Sequence, residues 1–469
     1  MPVVQLDRTS DSDSEGRAFE SHRAYHNPAL LAGILIRGYF IMFRTKLAVI
    51  LLLLFSIIMV AGSIFGTKNN TIDTATIDEY TQAKDIAKPE SVTTTASSTT
   101  PATTTTTITT SSTTTSTTTA LTTTNTTTST TSYKAPESLQ VILDGMTLEE
   151  KVGQMFIARC PQSNAATLAS QYHLGGYILF ARDFESETKE SAKAKIQSYQ
   201  NSSKIGMLIA VDEEGGKVVR VSKYPNFRSS PFSSQMQLYN SGGVPALASD
   251  AKEKSELLLS LGINMNFAPV CDLPDSQSNY IYYRTLGTDV NVTVSGIPAI
   301  VTQMNKSGIV SVLKHFPGYG NNSDTHTGSA TDSRPYSDFE NADFKPFISG
   351  INADAPCVLV SHNIINSMDS SSPASLSQAV HNILRNELGF YGVIITDDLA
   401  MDAITSYAGS QNVAVMAVNA GNDLICCTDF QNQITAVINA VKSGQISEER
   451  INQSVLRILK MKQDYRILS

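Results

Sequence analysis

Eight short, almost uninterrupted apolar runs recur from about residue 135 to the end of this chain, separated by polar segments of helical length. The runs are Met155-Phe156-Ile157-Ala158, Tyr177-Ile178-Leu179-Phe180, Met207-Leu208-Ile209-Ala210-Val211 and Asn266-Phe267-Ala268-Pro269-Val270, then Ser311-Val312-Leu313, Val358-Leu359-Val360, Val393-Ile394-Ile395 and Asp423-Leu424-Ile425-Cys426. Strands so continuously apolar are buried on both faces, the condition of a parallel sheet covered by helices. Helical patterns such as Ala251 to Leu261 and Leu376 to Leu388 lie between them. Eight strands alternating with helices predict an α/β domain folded as a (β/α)8 TIM-type barrel. A doubly wound open sheet is the other arrangement this alternation permits.

Polar residues punctuate the runs in a telling way. Asp212 follows the third, Lys314-His315 the fifth, Ser361-His362 the sixth and Asp397 the seventh. In a barrel these positions converge on the C-terminal mouth, where active sites form. The chain has seven histidines, and His315, His326 and His362 belong to this set. The stretch Lys314-His315-Phe316-Pro317-Gly318-Tyr319-Gly320, followed by Asp324-Thr325-His326, carries acid, base and cation on a segment whose Pro and Gly exclude a helix. A solvated polar loop is the bland alternative. The element Ile394-Ile395-Thr396-Asp397-Asp398 weighs against it, because it brings a second strand-end carboxylate.

The N-terminal part has a different composition. Leu47 to Gly66 is a charge-free stretch of about twenty residues, enough to span a bilayer as a helix. Arg37, Arg44 and Lys46 precede it, which puts residues 1–46 in the cytoplasm and the rest outside. A cleaved signal peptide is the competing reading, with Val60-Ala61-Gly62 as its weak cleavage pattern. Residues 67–134 are dominated by Thr and Ser and predict a disordered tether. Residues 135–469 remain for the globular domain. A net charge of −8 without a basic stripe argues against nucleic acid as a partner. Five cysteines, odd in number and without zinc spacing, predict reduced core residues rather than disulfides.

At this level of detail the domain resembles the β-N-acetylhexosaminidases of glycoside hydrolase family 3. The resemblance runs from Met146-Thr147-Leu148-Glu149-Glu150-Lys151-Val152-Gly153-Gln154-Met155 to the last helix. It is carried by Asp212-Glu213-Glu214-Gly215-Gly216-Lys217-Val218-Val219-Arg220, Gly262-Ile263-Asn264-Met265-Asn266-Phe267-Ala268-Pro269-Val270, Tyr283-Arg284-Thr285-Leu286-Gly287, the Lys-His-Phe-Pro-Gly run and Thr396-Asp397-Asp398-Leu399-Ala400-Met401. The resemblance implies a barrel with glycosidase activity and no metal or organic cofactor.

It also implies roles. Asp397 looks like the nucleophile that forms a covalent glycosyl-enzyme. A helix N-cap is its plainer role, and that role fits the neighbouring Asp398 better. His326 looks like the general acid/base with Asp324 as its orienting partner; an imidazole titrating near neutrality can both give and take the proton. Asp212, Arg220, Arg284, Lys314 and His315 look like sugar-binding residues, any one of which could instead be a structural ion pair. His362 is a further pocket candidate. Three departures stand out: Tyr319 where the family has a histidine, a loop one residue shorter before Asp324, and Lys217 for a frequent arginine. With no Trp in the chain, sugar stacking falls to residues such as Tyr282 or Tyr283.

The resulting expectation is a single-pass, membrane-anchored protein with its catalytic domain extracellular and monomeric. It would be a retaining exo-β-N-acetylhexosaminidase releasing terminal N-acetylglucosamine from cell-wall muropeptides or chitin-type fragments. The alternatives are a β-N-acetylglucosaminide phosphorylase and a catalytically inactive surface glycan-binding protein.

Overall fold

The computed structural model describes residues 136–320, 322, 330–409 and 412–468. The expected membrane span at 47–66, the Thr/Ser-rich tether at 67–134, and both Asp324 and His326 lie outside the described residues. Among the described residues no helix is long and apolar enough to cross a membrane.

The apolar runs form strands β1 (Phe156–Arg159), β2 (Gly176–Leu179), β3 (Leu208–Val211), β4 (Met265–Asn266), β5 (Val310–Phe316), β6 (Cys357–Val360), β7 (Val393–Thr396) and β8 (Ile425–Cys427). They pair in parallel as one eight-stranded sheet, in the order β7-β6-β5-β4-β3-β2-β1-β8. The two ends of that order meet: Ile395 forms a parallel bridge with Leu424, whose N–H donates to Ile394 O at 3.0 Å. The sheet is therefore a barrel rather than an open doubly wound sheet. β2, β3, β6 and β7 are buried at every position, which is why their sequences carry no alternation.

Helices of Gln235–Ser260, Val290–Ser307, Phe430–Lys442 and Glu448–Asp464 are among those that connect or cover the strands. Caps set their starts: Ser234 accepts from Gln237 N, Asp289 from Asn291 N and Ser447 from Arg450 N. The predicted helix Ala251–Leu261 is the C-terminal half of Gln235–Ser260, whose backbone breaks at Gly242 and Gly243 just before Pro245. The predicted helix Leu376–Leu388 is subdivided. Leu376 closes a 3-10 turn, Ser377 caps Gln378–Asn382, and a π-helical turn follows over Ile383–Glu387.

Two strands depart from expectation. β4 ends at Asn266 instead of running to Val270, because Ala268 N turns back to donate to Asn266 O at 2.8 Å and Pro269 has no N–H with which to resume the ladder. The chain still tracks β5, with Val312 N donating to Ala268 O and Cys271 N to Lys314 O. β5 in turn extends through Lys314 and His315, which were expected to follow it. Its register against β6 shifts between Leu313 and Phe316, a bulge that re-aims successive side chains. All five cysteines are buried and free, as their number and spacing implied. A small three-stranded sheet (Thr331–Asp332, Ile364–Ile365 and Asp369–Pro373) is built from the segments that follow β5 and β6.

Candidate active site

Asp212 directly follows β3, and the turn after it doubles back on Gly215 and Gly216. Gly215 has φ +101°, and a Cβ there would collide with the Ser233 carbonyl, so the turn admits no side chain. Glu213 is fully buried and holds the turn from within, accepting from Arg220 N and Val221 N at 2.7 Å and from the Ser222 hydroxyl. With Glu213 spent on the backbone, Asp212 and Glu214 both reach Lys314 on β5. Lys314 Nζ lies 2.7 Å from Asp212 Oδ1 and 2.7 Å from Glu214 Oε1.

The network continues from Glu214. Arg284, from the turn Tyr282–Arg284, donates through Nε and Nη2 to Glu214 Oε2 and Oε1 at 3.0 and 2.8 Å. Arg284 Nη2 is also 3.3 Å from His315 Nε2, and His315 Nδ1 is 2.6 Å from Asp272 Oδ2. Arg220 joins from the other side, with Nη2 3.5 Å from Asp212 Oδ2. It shares the Phe180 ring with Arg159, whose guanidinium carbon sits 4.5 Å from the ring centroid. All five expected sugar-binding residues thus meet in one charge-alternating cluster.

Burial alone would push the Glu214 carboxyl up. The attraction of Arg284 and Lys314 and their hydrogen bonds outweigh it and hold the group well below the usual carboxylate range. Burial would likewise lower Lys314, but Asp212 and Glu214 raise it instead. Arg284 is raised by Glu214 in the same way, against its own burial. Glu214, Lys314 and Arg284 are therefore held as fixed charges rather than as proton carriers. The cluster presents donors and acceptors to a polyhydroxylated ligand without reorganising.

Asp397 ends β7 at the same mouth. It is half-buried, and its Oδ1 accepts from Asp398 N at 2.8 Å. Asp212, Asp397 and Asp398 all act electrostatically on the buried Cys426 thiol, pushing it further above the level to which burial has raised it. The expected helix-cap role of Asp398 is not what the structure shows. The next helix, Asp402–Ala408, has Met401 at its N-cap. Asp398 instead accepts from Ala400 N, from Thr428 N and, at 2.6 Å, from the Thr428 hydroxyl, which ties the β7 turn to β8. His362 is fully buried, with Nε2 3.1 Å from Asp398 O and Nδ1 2.8 Å from Ser375 Oγ. Through Nε2 it braces the residue after Asp397.

Asn322, Asp332, Arg334 and Asp343 form a second polar cluster. Arg334 Nε donates to Asp332 Oδ2 at 2.9 Å, and its Nη1 donates to Asp343 Oδ2 at 2.9 Å. Asn322 Nδ2 donates to Asp332 Oδ2 at 3.2 Å. A Cβ on Gly318 would collide with Asp343, and one on Gly320 with Arg334. Burial pushes the Asp343 carboxyl up to about 6 against the pull of Arg334. Tyr319 is buried, its ring edge-on to His315 with centroids 5.3 Å apart. Tyr283, by contrast, is 50% exposed and lies under Lys217 Nζ at 4.5 Å from its centroid.

Sequence reasoning passed over two residues of this cluster, Glu214 and Asp272. Glu214 lies two positions beyond Asp212 in a motif already singled out. Asp272 closes the Asn266 to Val270 run as Asp212 closes β3, and that positional signal was available.

Comparison with known proteins follows the same lines. The family described as "Glycosyl hydrolase family 3 N terminal domain" matches residues 147–461. A beta-hexosaminidase of Nitrosomonas eutropha is 34% identical over 270 residues, covering 55% of this chain and 74% of that protein. Beta-hexosaminidase LpqI of Mycobacterium tuberculosis is 28% identical over 326 residues, covering 67% and 82% respectively. Among solved structures, a glycoside hydrolase family 3 beta-N-acetylglucosaminidase from Paenibacillus superposes with a TM-score of 0.64 at 31% identity. That match covers 69% of this chain and spans 63% of the Paenibacillus chain.

Proposed function

The chain belongs to glycosyl hydrolase family 3, and on that premise we propose that it is a retaining exo-β-N-acetylhexosaminidase acting on terminal N-acetylglucosamine. The observation that carries the reading is the cluster of Asp212, Glu214, Arg284, Lys314 and His315, at the same barrel mouth as Asp397. Such a cluster grips the hydroxyls of one terminal sugar. In the proposed reaction Asp397 attacks the anomeric carbon, and the bond to the leaving oxygen breaks as that oxygen takes a proton from His326. Water then attacks the glycosyl-enzyme, surrendering a proton to His326, and the carboxylate of Asp397 departs with the sugar's β configuration retained. Asp324 orients the imidazole in both steps.

The relatives named hexosaminidases support the N-acetylhexosaminide class. Cell-wall muropeptides or chitin-type fragments are the substrates proposed, with the catalytic domain displayed outside the membrane by the segment at 47–66. A panel of nitrophenyl glycosides tests the activity: turnover of the N-acetyl-β-glucosaminide above the β-glucoside is expected. The same assay in phosphate buffer, scored for free sugar against sugar 1-phosphate, separates hydrolysis from phosphorolysis. Binding without turnover of any glycoside would overturn the reading in favour of a glycan-binding protein. Protease added to intact cells should release the domain, and its protection until lysis would overturn the orientation.

A further inference from the structure

Asp272 has no contact with Lys314, Glu214 or Arg284 among the hydrogen bonds of the cluster, yet it is completely buried and spends both carboxylate oxygens around His315. Oδ2 faces His315 Nδ1 at 2.6 Å. Oδ1 accepts from Tyr319 N at 2.9 Å and, at 3.4 Å, from His315 N. On the far side of the imidazole, Nε2 faces Arg284 Nη2 at 3.3 Å. The two neighbours are chemically opposite. A carboxylate only accepts, so Nδ1 must carry a proton; a guanidinium only donates, so Nε2 must present its lone pair. Both demands are met by one tautomer, Nδ1–H with Nε2 bare.

We propose that Asp272 is a positioning residue that fixes His315 in the Nδ1–H tautomer, so that Nε2 serves the sugar site as a hydrogen-bond acceptor. This rests on the reading of the cluster as a sugar site. In the free protein the Nε2 lone pair steadies Arg284, whose fork holds Glu214. When a sugar binds, the same lone pair can accept a hydrogen bond from a hydroxyl, which selects a ligand that donates there over one that only accepts. Because the Asp272 side chain is wholly enclosed, no water competes for Nδ1, and the tautomer is set by the protein alone. The Tyr319 ring, edge-on to His315, closes that side of the imidazole.

Asp272→Asn makes the decisive variant. Two backbone N–H groups, of His315 and Tyr319, converge on the Oδ1 position, so the asparagine must place its carbonyl oxygen there. Its NH2 is then turned to Nδ1, which becomes the acceptor, and the proton moves to Nε2 at the cost of the contact with Arg284, because two donors now face each other. The test is a long-range 1H–15N correlation spectrum of the full chain with 15N-labelled histidine, with His315→Gln identifying the resonance. The wild type should show Nδ1 protonated and Nε2 bare, and Asp272→Asn the reverse. In parallel, kcat/KM on nitrophenyl N-acetyl-β-glucosaminide should fall about tenfold to a hundredfold, mainly through KM. Asp272→Glu, which keeps an acceptor on Nδ1, should recover part of the loss. A wild-type His315 protonated on Nε2, or an Asp272→Asn chain that keeps the wild-type tautomer, overturns the proposal. A wild-type chain that neither binds nor turns over any glycoside overturns the sugar-site reading instead, and the tautomer measurement, which needs no substrate, still decides the role of Asp272.

Discussion

Glu214 stands between two cations, 2.7 Å from Lys314 Nζ and 2.8 Å from Arg284 Nη2, and all three side chains are largely withdrawn from water. Glu214→Gln should therefore cost about 3–5 kcal/mol in stability, since it leaves buried positive charge uncompensated. Urea unfolding near neutral pH measures this. The folded carboxyl titrates below its unfolded value, so its stabilisation is complete above about pH 4.3 and disappears only as pH falls through the folded pKa. The penalty of the variant should accordingly shrink in strong acid. A change below about 1 kcal/mol at pH 7 would show that the triad carries no such load.

Asp397 is predicted to be expendable for folding and indispensable for turnover. Asp397→Asn should leave the unfolding midpoint close to wild type and lower kcat by about 10³-fold or more. A fluorinated N-acetylglucosaminide should label this residue covalently, as read by peptide mass. Labelling of Asp398 instead would contradict the assignment, and that residue is already committed to Thr428.

His326→Ala should slow substrates with poor leaving groups far more than nitrophenyl ones, because nitrophenolate needs little protonation as the bond breaks. With deglycosylation then limiting, the apparent KM should fall. Azide should restore part of the rate by attacking the intermediate without base assistance, and glycosyl azide should appear. Asp324→Asn should give a milder form of the same pattern. Equal losses across leaving groups, with no azide product, would remove His326 from the acid/base role.

Far from this mouth, Lys462 is completely buried, donating to Gln154 Oε1 at 2.7 Å and Gly175 O at 3.0 Å, and its burial lowers its pKa to about 7. An unfolded lysine titrates near about 10.4. Between these values the unfolded chain binds a proton that the folded chain does not, so stability should rise with pH by up to about 1.4 kcal/mol per unit. Below pH 7 the full cost of charging the buried group is present. Lys462→Met should remove this slope relative to wild type, as read from unfolding midpoints between pH 7 and 10. Parallel pH profiles for the two proteins would show that Lys462 stays charged when folded.

The barrel was legible because its strands are buried on both faces, so apolar runs alone mark them. Where that signal met a backbone constraint it misled. Pro269 shortens β4 although Phe267 to Val270 is as apolar as its neighbours, and the bulge in β5 draws Lys314 and His315 into the strand. The five sugar-site candidates do meet, since strand-end polarity is itself a barrel signal. Burial of individual acids is not written in the sequence. Nothing in Asp212-Glu213-Glu214 says that the middle carboxylate serves the backbone while the outer two serve Lys314. That division follows from the positive φ of Gly215, which only the folded turn displays. Likewise Asp272 acts through a histidine more than forty positions away in sequence.

The ion cluster of Asp332, Arg334 and Asp343 bears on how such a protein can diversify. It grips the chain at Asn322 and Asp332, on either side of residues 323–329, and it fills the space beside Gly318 and Gly320. Asn322 and Asp332 thus share one anchor, which runs on through Arg334 to Asp343. Arg334 is therefore a keystone: replacing it would unseat Asp332 and Asp343 together and open the space beside Gly320, so diversification around this mouth is constrained first at that one cation.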